Sequence, residues 1–169
     1  MASSSSGTEV GASSIVYELY GPKHYNPSLN PNFDRQHADI GRLISVLTHG
    51  RIDHATNLMG WDVKGVNSRL LLAIDVNRGR SVVGMGMLSY FPLVSGREIR
   101  FDDVVVLPEY QGHGIGRSII EKLIAEGKRM GGEWVELTSG PERRAAHKLY
   151  RDLGFMEVRT TVFQLDLTV

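Results

Sequence analysis

The sequence Gln111-Gly112-His113-Gly114-Ile115-Gly116 follows three consecutive valines, Val104, Val105 and Val106, and a turn through Leu107 and Pro108. Glycines at 112, 114 and 116 let the backbone turn its N–H groups toward a ligand with no side chain in the way. An amphipathic segment starts directly after them, and a helix N-terminus adds about half a positive charge. Together these features make an anion site suited to a diphosphate. The plain alternative is a turn that merely needs flexible residues. A dinucleotide fingerprint requires Gly-x-Gly-x-x-Gly with an acid about 20 residues later, and a Walker loop requires Gly-Lys-Ser/Thr. Here the spacing is Gly-x-Gly-x-Gly, the next strand ends in Thr138-Ser139, and Gly-Lys-Ser/Thr is absent.

Composition removes other chemistries. The chain has 169 residues and no cysteine, which excludes disulfide scaffolds, Cys-ligated zinc, iron–sulfur clusters and Cys nucleophiles. It also fits a cytoplasmic protein. Nineteen Lys+Arg balance nineteen Asp+Glu, and a protein held by nucleic-acid phosphates would carry a basic excess. His49 and His54 lack an acidic partner pattern, so no metal site is expected. No Gly-x-Ser-x-Gly elbow appears. No run approaches the roughly 20 apolar residues of a membrane span, so no membrane partner is expected. The opening MASSSSGTEVGASS is neither a signal nor a transit peptide in pattern, and residues 1–14 read as a disordered tail, native or added.

The elements that must position the glycine-rich loop follow from periodicity. Residues 15–20 are β-prone, and three prolines and three asparagines make 21–32 a loop. Ile40, Leu43, Ile44 and Leu47 mark one face of a helix over 33–50, with Asp34 as N-cap and Gly50 as stop. Residues 51–68 are open between a short helix and a loop over a site. Strands are expected at 70–76, 82–91 and 98–107, joined by turns at 77–80 and 92–96. Gly84 and Gly86 suggest a bulge or a close backbone approach. A helix over 114–130, a strand over 134–138 and a helix over 143–153 follow. Gly154 is placed as a left-handed C-cap, with Phe155 packing back on the last turn. Alternation in 158–167, with Phe163, Leu165 and Leu167 on one face, predicts a final strand. The whole is an α+β single domain over 15–169, with a mostly antiparallel sheet and one strand–helix–strand unit.

Gln111-x-x-Gly114-x-Gly116 after a strand, and Ala146-x-x-x-Tyr150-x-x-x-Gly154-Phe155 on a late helix, resemble the GNAT superfamily of N-acetyltransferases. The specific motifs lie within 98–165. The resemblance implies acetyl-CoA as cosubstrate, no metal, and a small-molecule or peptide amine as acceptor. Dimerisation is common in the family, so a homodimer is admitted. By position, main-chain groups of Val104, Val105 and Val106 would pair with the pantetheine arm. N–H groups of Gly112, His113, Gly114, Ile115 and Gly116, with Gln111 and Arg117, would hold the pyrophosphate. Arg143 stands where the family often has Asn and is expected near the cofactor's phosphates or adenine end.

Two residues would carry the proton transfers. The resemblance makes Tyr150 the acid that protonates the leaving thiolate; the alternative is a core aromatic beside Ala146 and Leu153. Freeing an amine of pKa about 10.4 at pH 7 costs about 4.6 kcal/mol, and a carboxylate lowers that burden by taking the proton. Asp102 and Asp103 alternate across the strand, so one at most faces the site. Asp102 is assigned the role and Glu98 is the reserve; the alternative is an acid paired with Arg97 or Arg100. His113 reads as a solvent-facing loop residue and His147 as a helix-flank residue. A non-catalytic acyl-CoA sensor or docking module of the same fold is the rival reading.

Overall fold

The computed structural model describes residues 14–20, 28–51 and 67–167. Five strands form one sheet in the order β1-β2-β3-β4-β5. They are β1 (Ile15–Leu19), β2 (Ser68–Asp75), β3 (Ser81–Leu93), β4 (Gly96–Val106) and β5 (Trp134–Leu137). β1 to β4 pair antiparallel, and β5 joins β4 in parallel. The helices are α1 (Phe33–Thr48), α2 (Ile115–Arg129) and α3 (Arg144–Asp152). The chain divides into two compact units, 1–138 with the sheet and 139–169 with α3.

β2 explains the layering of the first unit. Leu70, Leu71, Leu72, Ala73 and Ile74 are all buried. Successive strand residues point to opposite faces, so burial of every one requires cover on both faces. α1 and α2 each pack on β3 and β4, and α2 also packs on β2. Ile40 and Leu43 of α1 and Ile119, Ile120 and Leu123 of α2 are fully buried, each worth about 1.5–3 kcal/mol of transfer free energy.

Gly84 and Gly86 sit where α2 crosses the sheet. A Cβ on Gly86 would lie 2.8 Å from Ile119 Cγ2 and 3.0 Å from Leu123 Cδ1. The close-approach reading of these glycines therefore holds. Two bulges lie beside them. On the β2 side Gly84 pairs Ala73 and Val82 pairs Ile74, leaving Val83 as an extra residue of β3. On the β4 side Met87 pairs Asp102 and Met85 pairs Val105, so Asp103 and Val104 face the single residue Gly86. Asp103 takes the strained left-handed conformation there, φ 52°.

α1 also ties down the β2–β3 hairpin. Arg35 Nη1 donates to the Arg78 and Gly79 carbonyls, Gln36 Nε2 donates to Arg80 O, and Asp39 Oδ2 accepts from Val82 N. Buried Asn30 donates to Gln36 Oε1 at 2.9 Å. The α1 N-cap is Asn32 and its side chain makes no cap bond, with Asp34 two residues further on in the first turn. The expected Asp34 cap is corrected on that point; Asn30 Oδ1 instead accepts the Asn32 N–H.

The expected strand over 158–167 is absent; those residues carry no ladder bonds. Phe163 is 91% exposed and Leu165 81%. Alternation gives a segment one apolar face, but a strand also needs a neighbouring row of N–H and C=O groups. Among the described residues none pairs with it. The ambiguous stretch around Leu58, Met59 and Trp61 lies outside the described residues, as do 1–13. No helix among the described residues is long and apolar enough to cross a membrane.

Candidate active site

β4 and β5 stay paired only from Glu98 opposite Trp134 to Phe101 opposite Leu137, where β5 ends. On its other side β4 remains paired with β3 up to Val106 opposite Gly84. From Asp102 to Val106, β4 thus has no partner on its β5 side among the described residues. The bulge at Asp103-Val104 lies within this stretch and increases local twist. Main-chain groups on an unpaired strand side can accept an extended ligand as a further strand.

After Val106 the chain is held before it turns. The Leu107 N–H donates to Val83 O at 2.9 Å, and a short 3₁₀ turn spans Pro108–Tyr110. Gln111 through Gly114 are exposed. Gly112 (φ 80°) and Gly114 (φ 78°) are left-handed, and a Cβ on either would meet nothing within 4 Å. Gly114 caps α2 without a side chain, and Ser118 N–H to Gly114 O is the first helical bond. The N–H groups of Gly114, Ile115 and Gly116 therefore precede the first helical bond and have no intrahelical acceptor. An open loop surface, orphan donors and a helix N-terminus together fit a pyrophosphate. The Gln111 side chain is already engaged: its Nε2 donates to Val106 O at 3.0 Å, bracing the loop against β4. Arg117 lies 3.8 Å from Glu121.

The carboxylates of β4 differ in setting. Asp102 Oδ1 lies 3.5 Å from Arg100 Nε, with the Asp102 side chain 41% exposed. An exposed pair of this kind contributes about 0–1 kcal/mol. Asp103 is also solvent-exposed. Yet partial desolvation by the surrounding chain, and then the neighbouring Asp102 charge, raise its pKa above the usual carboxylate range. The bulge breaks the simple alternation that assigned these two acids to opposite faces. No cluster of three or more His, Asp or Glu residues able to hold a metal ion occurs among the described residues.

In the second unit Arg143 caps α3, and its carbonyl accepts the His147 N–H at 3.0 Å. The helix closes with Gly154 at φ 89°. The Gly154 N–H donates to Arg151 O and the Phe155 N–H to Tyr150 O, both at 3.0 Å, the paired bonds of a Schellman ending. The Phe155 ring packs 5.8 Å from the Tyr150 ring, as the Gly154-Phe155 pattern predicts. Burial raises the Tyr150 pKa, with the Arg143 charge opposing.

Comparison with known proteins decides the family. The model of the acetyltransferase (GNAT) family matches residues 17–155. The chain belongs to the GNAT family. Thialysine N-epsilon-acetyltransferase of Mus musculus is 30% identical over 92 residues, 54% of each chain. An uncharacterised N-acetyltransferase of Methanocaldococcus jannaschii is 37% identical over 65 residues, 38% of this chain and 29% of that protein. The chain thus matches about half the length of the mouse relative, and less of the archaeal one. Among solved structures, an aminoglycoside acetyltransferase from an uncultured soil metagenomic sample superposes with TM-score 0.72 at 18% identity, over 93% of this chain and 99% of that one. A ribosomal-protein-alanine N-acetyltransferase from Brucella melitensis gives 0.67 at 15%, over 90% and 99%.

Within this GNAT chain the first unit brings together Asp102, Val104, Val105, Val106 and the run from Gln111 to Arg117 on one continuous strand–turn–helix. Arg143 and Tyr150 sit together in the second. His113 is exposed and His147 half-buried. Sequence reading did not single out Asp75, buried and accepting from the Tyr110 hydroxyl at 3.0 Å, because the two are 35 residues apart with no local signal linking them.

Proposed function

We propose that the protein is an acetyl-CoA-dependent N-acetyltransferase that acts on a primary amine by direct attack in a ternary complex. The observation that carries this reading is the course of β4. It loses its β5 partner at Asp102 and runs through one turn into an open glycine loop at the N-terminus of α2. In this reading main-chain groups of Val104, Val105 and Val106 bind the pantetheine arm. The N–H groups from Gly112 to Gly116 hold the pyrophosphate, with Gln111 fixing the loop and Arg117 adding charge. Arg143 serves the phosphate or adenine end. Residues 15–169 work as one catalytic domain, and the cysteine-free composition agrees with a cytoplasmic setting.

Acetyl-CoA, when bound, supplies an activated acetyl thioester. The Asp102 carboxylate takes the proton from the ammonium form of the acceptor, offsetting the cost of about 4.6 kcal/mol at pH 7. Backbone donors on the unpaired side of β4 polarise the acyl carbonyl. The Tyr150 hydroxyl gives its proton to the departing sulfur. Burial raises its pKa, so the phenol holds its proton at neutral pH until the developing thiolate of the departing sulfur takes it up. With no cysteine and no serine elbow, direct transfer is favoured over an acyl-enzyme. The relatives' names include thialysine, aminoglycoside and protein-alanine acceptors, and all of these are amines.

The test is thiol release from acetyl-CoA across a panel holding thialysine, an aminoglycoside and an alanine-terminated peptide. Amine-dependent release is expected for at least one member. Tyr150→Phe should lower it about 10²–10⁴-fold while acetyl-CoA affinity stays within a few-fold. Tight acetyl-CoA binding with no release from any amine would replace the enzyme by a binding module.

A further inference from the structure

The glycine loop has no packing of its own. Gln111 to Gly114 are exposed, and no atom comes within 4 Å of a Cβ built on Gly112 or Gly114. Its position is therefore set by the Gln111 Nε2 bond to Val106 O and at its two ends, where Tyr110 on the strand side and Ile115 on the helix side are each 3% exposed. Ile115 is held by packing alone. Tyr110 carries in addition a directional tie: its hydroxyl donates to Asp75 Oδ2 at 3.0 Å. Asp75 is itself aimed, since Oδ1 accepts the Asn77 N–H at 3.0 Å and caps the turn Val76–Arg78. The Arg78 guanidinium lies 5.8 Å from the Tyr110 ring centroid. The carbonyls of Arg78 and Gly79 are braced from α1 by Arg35.

A carboxylate only 2% exposed is a poor choice for stability alone. Burying a charge is costly unless it is hydrogen-bonded, and apolar residues of like volume often stabilise as well or better. A directional pair does fix where the ring sits and how the next residue leaves it. Glu109, adjacent in the same turn, adds an exposed tie to Arg42 at 2.7 Å, which contributes little by itself.

We propose that Asp75 and Tyr110 form a positioning pair that holds the acyl-CoA pyrophosphate loop in register from outside the site. The inference rests on the acetyl-CoA reading above and adds two residues that touch neither cosubstrate nor acceptor. Their contribution is to keep the loop donors preorganised, so it appears in cosubstrate affinity rather than in the chemical step.

The test measures acetyl-CoA dissociation constants calorimetrically, well below the melting temperature, for the 169-residue chain and its variants. Tyr110→Phe keeps the ring and removes the hydroxyl; it should raise the dissociation constant about tenfold, the loss of one hydrogen bond to a charged group. In thiol-release kinetics KM for acetyl-CoA should rise in step while kcat stays near wild type. Asp75→Asn keeps an acceptor for Asn77 and a partner for the hydroxyl, and should stay within about threefold of wild type. The double variant Asp75→Asn/Tyr110→Phe should bind no more weakly than Tyr110→Phe. Wild-type affinity in Tyr110→Phe, whatever its melting temperature, would overturn the positioning role and leave the pair a core contact. If the unaltered protein binds no acetyl-CoA, the functional reading fails first and the inference falls with it, so the two failures are separable.

Discussion

Gly114→Glu separates a pyrophosphate loop from a flexible turn. Gly114 is left-handed at φ 78° with open space where a Cβ would stand. A side chain there meets no steric obstacle and costs only the backbone strain, about 1–2 kcal/mol. The fold should survive that loss. Binding should not. A unit charge about 4 Å from the anion, at an effective dielectric near 20, costs about 4 kcal/mol, roughly a thousandfold in affinity. The matched control is Gly131→Glu, because Gly131 shares the positive φ (83°) and the open space but follows the far end of α2. Gly114→Ala isolates the strain from the charge. Calorimetric titration with acetyl-CoA should show near-normal affinity for Gly131→Glu, a modest loss for Gly114→Ala and no detectable binding for Gly114→Glu. Equal affinities for the two glutamate variants would refute the reasoning and make the loop a turn.

Gly86→Val places atoms where Ile119 and Leu123 already stand; overpacking of about 1–3 kcal/mol should lower Tm by about 2–4 °C per kcal/mol in thermal melts. Asp102→Asn should slow thiol release at pH 7 and recover partly at high pH, where more amine is free; a pH–rate profile identical to wild type would move the base to another acid or to water. Asp103 has a raised folded-state pKa, so the native state is penalised relative to the unfolded one whenever the carboxyl is ionised. Asp103→Asn, which also suits φ 52° better, should therefore raise Tm at pH 7, and the part due to charge should vanish as pH falls below about 4.

Local signals were enough for most elements of the fold. The hydrophobic pattern placed α1, α2 and all five strands, because that pattern is written in consecutive residues. The glycine run before α2 and the Tyr150-x-x-x-Gly154-Phe155 ending are likewise local: backbone freedom and helix capping depend on residues within a few positions. The α1 cap was misplaced by two residues, since Asn30 and Asn32 share a capping arrangement that a single-residue rule does not describe.

Sequence alone determined the family motifs, the absence of thiol chemistry and the candidate proton carriers. Only tertiary structure decided three things. The β4 bulge arises from pairing with β3, so the alternation of Asp102 and Asp103 could not be read along one strand. The segment 158–167 has a strand's alternation but no ladder, because pairing belongs to two segments and its signal to one. Asp75 and Tyr110, 35 residues apart, meet because β2 and β4 flank β3 in the sheet. Contacts of that kind depend on chain topology, and no local pattern records them.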